Sequence, residues 1–249
     1  MEDRPDRHDP EDIIIVGATM DRIDRHFEKD LENLSEAILR LAGLTQEAIE
    51  GALAALTRRD SDVAQRVIAG DEEIDQQELV VDQLCTDLLA LRQPMASDLR
   101  FLTTALKIAP EIERMGDQAV NISERAIELN QEPLLKPLID IPRMAVITVG
   151  MLRGSLDAFV RRDAEAAREI IKRDDEVDQL MEQVFRELLS FMIEDPRSIS
   201  RAIRLTFVAK YLERIADGCT NICEMVVFMA EGRVIRHGGF HPRPHEGDS

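Results

Sequence analysis

Carboxylates and an amide at helical spacing are the residues of this chain best suited to chemistry. Glu113, Asp117 and Asn121 belong to a stretch that reads E-R-x-x-D-x-x-x-N-I-x-E. Glu213, Asp217 and Asn221 repeat that skeleton 100 positions later. If both stretches are helical, each residue turns by about 100°, and Glu113, Asp117, Asn121 and Glu124 fall within about 80° of one another. Met115, Ala119 and Ile122 gather on the opposite side, as do Ile215, Cys219 and Ile222 in the second copy. The acids therefore point out of the bundle that the apolar face builds. Like charges one turn apart cost a helix a few tenths of a kcal/mol, so a compensating cation is one expectation.

More acids stand at the same spacing upstream of each copy. Glu78 and Asp82 are four apart, as are Asp178 and Glu182, and Asp75 lies one turn before Glu78. If the helices that carry them neighbour the motif helices, one carboxylate-rich patch forms in each half. Oxygen ligands without His or Cys suit hard cations such as Mg²⁺, Ca²⁺, Mn²⁺ or ferric iron. The plainer reading is a solvated acidic face; the duplication favours a ligand set, because a solvated face need not keep Asp, Asn and Glu in matching places. Arg114 and Arg214 read as surface ion-pair partners, worth little to stability.

The elements that position these residues follow from periodicity. Ile23, Phe27, Leu31, Leu34, Ile38, Leu41 and Leu44 open a long helix near Met20. Arg58-Arg59-Asp60 and Arg161-Arg162-Asp163 mark equivalent turns, with Asp60 or Ser61 as the first N-cap. Asp71-Glu72-Glu73-Ile74-Asp75 is echoed by Asp174-Asp175-Glu176-Val177-Asp178. The middle helix of the second half is expected to run unbroken to about Ile193, and Pro110 to kink or divide the third helix near Ile108. The expected class is all-α: six long helices in two tandem three-helix bundles, each with its own core, related by internal duplication. The boundaries are 1–18 for a disordered N-terminal segment, 19–131 for the first bundle, 132–141 for the linker, 142–232 for the second bundle and 233–249 for a flexible tail.

Composition excludes several classes. Net charge is −18, which argues against nucleic-acid binding. Hydrophobic residues make up 44% and aromatics 4%, with one Tyr and no Trp, the composition of a helix bundle. No run of about 18 apolar residues spans a membrane. The start, Met1-Glu2-Asp3-Arg4-Pro5, has no signal-peptide pattern, so a cytoplasmic protein is expected. Cys85, Cys219 and Cys223 read as reduced core thiols. A di-iron bundle enzyme needs inward Glu-x-x-His pairs, and none occurs; His8, His26, His237, His241 and His245 lie outside every motif. Without a Gly-rich phosphate loop or a nucleophile–base pair, nothing argues for an enzyme or an organic cofactor. A metal-storage protein and a plain structural bundle are the competing classes.

Arg92-Gln93-Pro94-Met95-Ala96-Ser97-Asp98-Leu99-Arg100, followed by Glu113-Arg114-Met115-Gly116-Asp117, resembles the first signature of the PhoU family. Glu194-Asp195-Pro196-Arg197 with Glu213-Arg214-Ile215-Ala216-Asp217 and Asn221-Ile222-Cys223-Glu224 resembles the second. The resemblance spans about Met20 to Glu231. It implies two three-helix bundles in tandem, with metal on surface carboxylates, as an iron cluster or as Zn²⁺, Mg²⁺, Mn²⁺ or Ca²⁺. Carried over, the ligands are Glu113, Asp117 and Asn121 with Glu78 and Asp82, and Glu213, Asp217 and Asn221 with Asp178 and Glu182. Aligning the Asp75 and Asp178 segments instead sets Glu78 opposite Met181, so the middle-helix register stays open. Ala216 in place of Gly116 affects close packing more than ligands. The resemblance further implies a cytoplasmic, often dimeric negative regulator of phosphate uptake and of the phosphate-starvation response. It would link the ATPase subunit of a phosphate ABC transporter to a phosphate-sensing histidine kinase, and meet the membrane through these partners only.

Overall fold

The two Arg-Arg-Asp turns explain where the helices begin and end. In this computed structural model, which describes residues 10–92, 94 and 96–235 with side chains from Phe27 onward, α1 spans Pro10–Arg58 and α2 spans Ser61–Arg92. Arg59 takes the left-handed conformation at φ 57°. The Asp60 carboxylate then accepts from the backbone N–H groups of Asp62 and Val63, both at 3.1 Å, which makes Asp60 the cap. The second half repeats this: Arg162 is left-handed at φ 54°, and Asp163 accepts from Glu165 and Ala166. The Arg59 guanidinium also donates to the carbonyls of Leu129 and Asn130, at 3.3 and 2.8 Å. It thereby satisfies orphan acceptors at the end of α3, Ala96–Asn130.

Three expectations are corrected. Residues 10–18 are not a disordered lead but the start of α1, where Pro10 occupies the first helical position and its missing N–H costs nothing. Of the two outcomes expected at Pro110, a kink or a division, the division does not occur: α3 runs unbroken through it. The middle helix of the second half does divide, into α5, Ala164–Ile171, and α6, Asp174–Glu194. There the bonds tighten to three-residue steps, Arg173 N–H to Ile170 at 3.0 Å and Glu176 N–H to Arg173 at 3.1 Å. The break makes Asp174 the first residue of α6. Residues 1–9, the tail beyond Ile235 with His237, His241 and His245, and the His26 side chain lie outside the described residues.

α4, Asp140–Arg161, opens the second bundle; a 3₁₀ turn, Pro196–Ser198, leads into α7, Ile199–Glu231, and Gly232 ends it at φ 70°. The connection from Gln131 to Ile139 is tied down. Lys136 is buried and paired with Glu187, and the Arg201 guanidinium donates to the Pro133 carbonyl at 3.0 Å. α1, α2 and α3 pack on one another, as α4, α5, α6 and α7 do; α3 then packs on α7, and α1 on α4. The expectation of a separate core in each half fails for this reason: the buried side chains join into one continuous core. α3 and α7 cross where Gly218 leaves room. A Cβ there would meet Met115 Cε at 2.7 Å. Elsewhere, Phe101 near the start of α3 stacks on Phe159 of α4 at 5.1 Å, with the Arg162 guanidinium 5.0 Å from the centre of the Phe101 ring.

Candidate functional site

Each half brings acids from two neighbouring helices together. In the first, Asp71, Asp75 and Glu78 on α2 face Glu113 and Asp117 on α3. Burial, and then mutual repulsion, push Asp71, Glu78, Glu113 and Asp117 above the ordinary carboxylate range. Asp71 is repelled by Asp75 and Asp117, and Glu113 by Asp117, Asp75, Glu78 and Asp71. No cation stands among these influences. In the second half, Asp174, Asp175 and Asp178 on α6 face Glu213 and Asp217 on α7. Burial, followed by Asp217, Asp178, Asp175 and Glu213, pushes Asp174 up to about 6. Asp178 and Asp217 also rise, chiefly through burial and then Glu213, with Lys210 pulling both back. Lys210 is ion-paired with Glu213. Its counterpart in the first motif is Pro110, which brings no charge.

Close packing of the helices sets these faces together. A Cβ on Gly116 would meet Ile74 Cδ1 at 3.0 Å and Asp71 Oδ1 at 3.7 Å, so α3 can lie tight on α2 beside the first acid. The corresponding pair in the second half is Val177 and Ala216, both buried. One methyl group has moved from the middle-helix residue to the motif residue, and the total side-chain size is kept. The departure at Ala216 is thus a compensated packing change.

The structure settles the register. Asp71 corresponds to Asp174 and Asp75 to Asp178, so the equivalent of Glu78 is Met181. Of the expected residues, Glu78, Glu113, Asp117, Asp178, Glu213 and Asp217 come together in the two clusters. Asp82 lies exposed at the edge, where it still repels Glu78. Glu182 is 74% exposed on its side chain and lies 3.7 Å from Arg186. Asn121 and Asn221 lie one turn beyond Asp117 and Asp217, half-buried. Sequence reasoning passed over Asp71, Asp174 and Asp175 as site residues. The repeat of Asp71–Asp75 in Asp174–Asp178 was the signal that could have found them.

The donor set fits a hard cation. Every donor is a carboxylate oxygen, the acids repel one another, and Asp174 Oδ1 is buried without a hydrogen-bond partner. As the side chains stand, no three of His, Cys, Asp or Glu among the described residues converge closely enough to hold a metal ion. A cation held among these carboxylates would need their side chains to rotate toward one another. The thiols lie apart from this chemistry: burial pushes Cys85 and Cys223 up to about 12, and Cys219 higher than its ordinary value too. No helix among the described residues is long and apolar enough to cross a membrane.

Comparisons with known proteins agree with the duplication. The family model described as PhoU domain matches twice, over residues 38–126 and 141–226. The phosphate-specific transport system accessory protein PhoU homolog of Aquifex aeolicus (strain VF5) is 43% identical over 209 residues, 84% of this chain and 95% of that protein. The phosphate-specific transport system accessory protein PhoU of Escherichia coli (strain K12) is 36% identical over 217 residues, 87% of this chain and 90% of that protein. The crystal structure of PhoU from Pseudomonas aeruginosa superposes with a TM-score of 0.79 at 36% identity, covering 83% of this chain and 99% of that one. The phosphate transport system regulatory protein PhoU from Streptococcus pneumoniae gives 0.78 at 30% identity, covering 84% and 99%. With two family domains, two acidic ladders in register and matching solved folds, this chain belongs to the PhoU family.

Proposed function

We propose that this chain is a negative regulator of phosphate uptake and of the phosphate-starvation response. It acts in the cytoplasm as a non-enzymatic adaptor between the ATPase subunit of an ATP-driven phosphate transporter and a phosphate-sensing histidine kinase. The observation that carries this reading is identity of 36–43% through both bundles with relatives named as phosphate-specific transport system accessory proteins. Metal ions belong to the same proposal. Asp71, Asp75, Glu78, Glu113 and Asp117 would hold one group; Asp174, Asp178, Glu213 and Asp217 would hold the other. A bound cation would supply the positive charge that these crowded acids lack, and so fix the shape and charge of the docking faces. The proposed assembly is a homodimer.

Deleting the chain should raise phosphate uptake and starvation-reporter expression in phosphate-rich medium. Replacing Asp117 and Asp217 together with Ala should reproduce that rise while circular dichroism stays helical. Normal uptake and reporter control in the double variant would end the role given to the ladders. Elemental analysis after reconstitution with Mg²⁺, Mn²⁺, Zn²⁺ or ferric iron tests the ligand claim, which fails if no metal exceeds background. Sedimentation velocity tests the dimer.

A further inference from the structure

The two edges of the α3–α7 contact are built from equivalent positions, because residues 100 apart correspond across the duplication. They are finished differently. On the edge beside the linker, Arg204 donates to Glu128 at 2.6 Å and to Glu132 at 2.7 Å, and these ion pairs tie the helices together. On the other edge the counterparts of Arg204 and Glu128 are Thr104 and Phe228. A short hydroxyl stands there in place of a long guanidinium, and an aromatic ring in place of its carboxylate. A cavity of about 180 Å³ lies between them. Met225 and Phe228 of α7 give it an apolar wall, and Val234 and Ile235 line it from just beyond the end of α7.

Three polar side chains line the same cavity: Thr104, Lys107 and Glu224. Thr104 is 2% exposed, and its hydroxyl makes no hydrogen bond among the described residues. A buried hydroxyl left without a partner is costly, and a ligand in the cavity would supply one. Lys107 is exposed and makes no ion pair among the described residues. Glu224 is half-buried, and its two carboxylate oxygens can accept several hydrogen bonds at once. A few polar groups around an apolar hollow is the pattern of a small-molecule site. Its charges select the ligand. A plain anion would meet Glu224, and a plain cation would meet Lys107, whereas a zwitterion suits both. We propose that this cavity binds a free apolar α-amino acid. The ligand carboxylate takes Lys107 and the Thr104 hydroxyl, its ammonium takes Glu224, and its side chain packs on Met225 and Phe228. The size agrees, since a cavity of about 150 Å³ already holds a benzene ring. The side chain of phenylalanine or leucine therefore fits.

The test is calorimetric titration of the full chain with phenylalanine, leucine, phenylpropanoate and phenylethylamine. The two amino acids should bind saturably. Phenylpropanoate lacks the ammonium and phenylethylamine the carboxylate, and each should bind at least tenfold more weakly than phenylalanine. Lys107→Met should weaken phenylalanine at least tenfold and leave phenylethylamine unchanged. Glu224→Gln should weaken phenylalanine and leave phenylpropanoate unchanged. Thr104→Arg, which copies the linker edge, should abolish binding while circular dichroism stays helical. No saturable binding of either amino acid to the full chain overturns the proposal. Equal binding of phenylpropanoate does so too, since the site would then take any apolar anion. Phenylalanine binding that is unchanged in both Lys107→Met and Glu224→Gln also overturns it. So does binding seen only in a protein that ends at Ile235, which would give the cavity to the chain's own last residues. Titration of the purified chain needs no phosphate control in cells, so the regulatory reading and this one can fail separately.

Discussion

The two acidic ladders share one ancestry of sequence and differ in how their charge is managed. In the first bundle, Asp71 lies mid-helix in α2, and none of the influences on Asp71, Glu113 or Asp117 is a cation. In the second, Asp174 opens α6 because α5 ends at Ile171, three residues earlier, and Lys210 stands beside Glu213 where the first bundle has Pro110. The second ladder carries part of its own neutralisation, yet it also holds the most strongly perturbed carboxylate, because Asp174 is the more buried acid with one oxygen unpartnered. Local charge and local burial thus diverge after duplication even where the acidic pattern is kept.

The sharpest way to break the comparison is to ask whether the bundles are separate at all. Met115 on α3 lies against Gly218 on α7. Met115→Ala should cost roughly 2–5 kcal/mol, and urea unfolding followed by circular dichroism should remain a single transition. Two resolved transitions would show independent cores.

Asp174→Asn tests the burial side. The carboxyl of Asp174 has a folded pKa of about 6 against an ordinary value of 3.8, so the folded state holds the proton more tightly. The resulting stability is complete below about 4 and is lost as pH rises through 6. In chelator at pH 7 the Asn variant should be more stable by about 1–2 kcal/mol, allowing for solvent screening. That gain should vanish by pH 4 in urea titrations. Saturating divalent cation should reverse the order at pH 7, since only the carboxylate binds it.

Packing compensation predicts a double-mutant effect of about 1 kcal/mol. Ile74→Val alone leaves a gap beside Gly116, and Gly116→Ala alone crowds Ile74. Together they recreate the Val177–Ala216 pair, and the double variant should be more stable than the two single losses would give when added. Simple additivity in thermal melts would show that the two sites do not interact. The smallest expected effect concerns charge. Lys210→Gln should raise the affinity of the second ladder for Mn²⁺ several-fold, on the order of 0.5–1 kcal/mol, by calorimetric titration. An unchanged affinity would mean that Lys210 does not oppose cation binding.

Much of the architecture was legible in the residues. Apolar steps along Leu34, Ile38, Leu41 and along Met115, Ala119, Ile122 require helices with those faces buried, and all six side chains are buried. The Arg-Arg-Asp echo placed two equivalent turns, and the structure makes Asp60 and Asp163 their caps. Local signals failed where the answer lay on another helix. Nothing in Lys172 or Arg173 announces a helix break, and Pro110 carries a strong breaking signal that packing overrides in α3. Asp71 and Asp174 were overlooked because they lie two turns and one turn, respectively, before the expected middle-helix ligands Glu78 and Asp178. Only the crossing of α2 on α3, and of α6 on α7, brings them to Asp117 and Asp217.

The sequence by itself determined the helical class, the duplication and the outward direction of the acids, because these follow from periods of 3.6 residues and from identities in register. The tertiary structure alone decided which acids meet, since register between helices is set by side chains that interlock across elements far apart in the chain. Ile74 against Gly116 places one ladder, and Met115 against Gly218 joins the two bundles into one core.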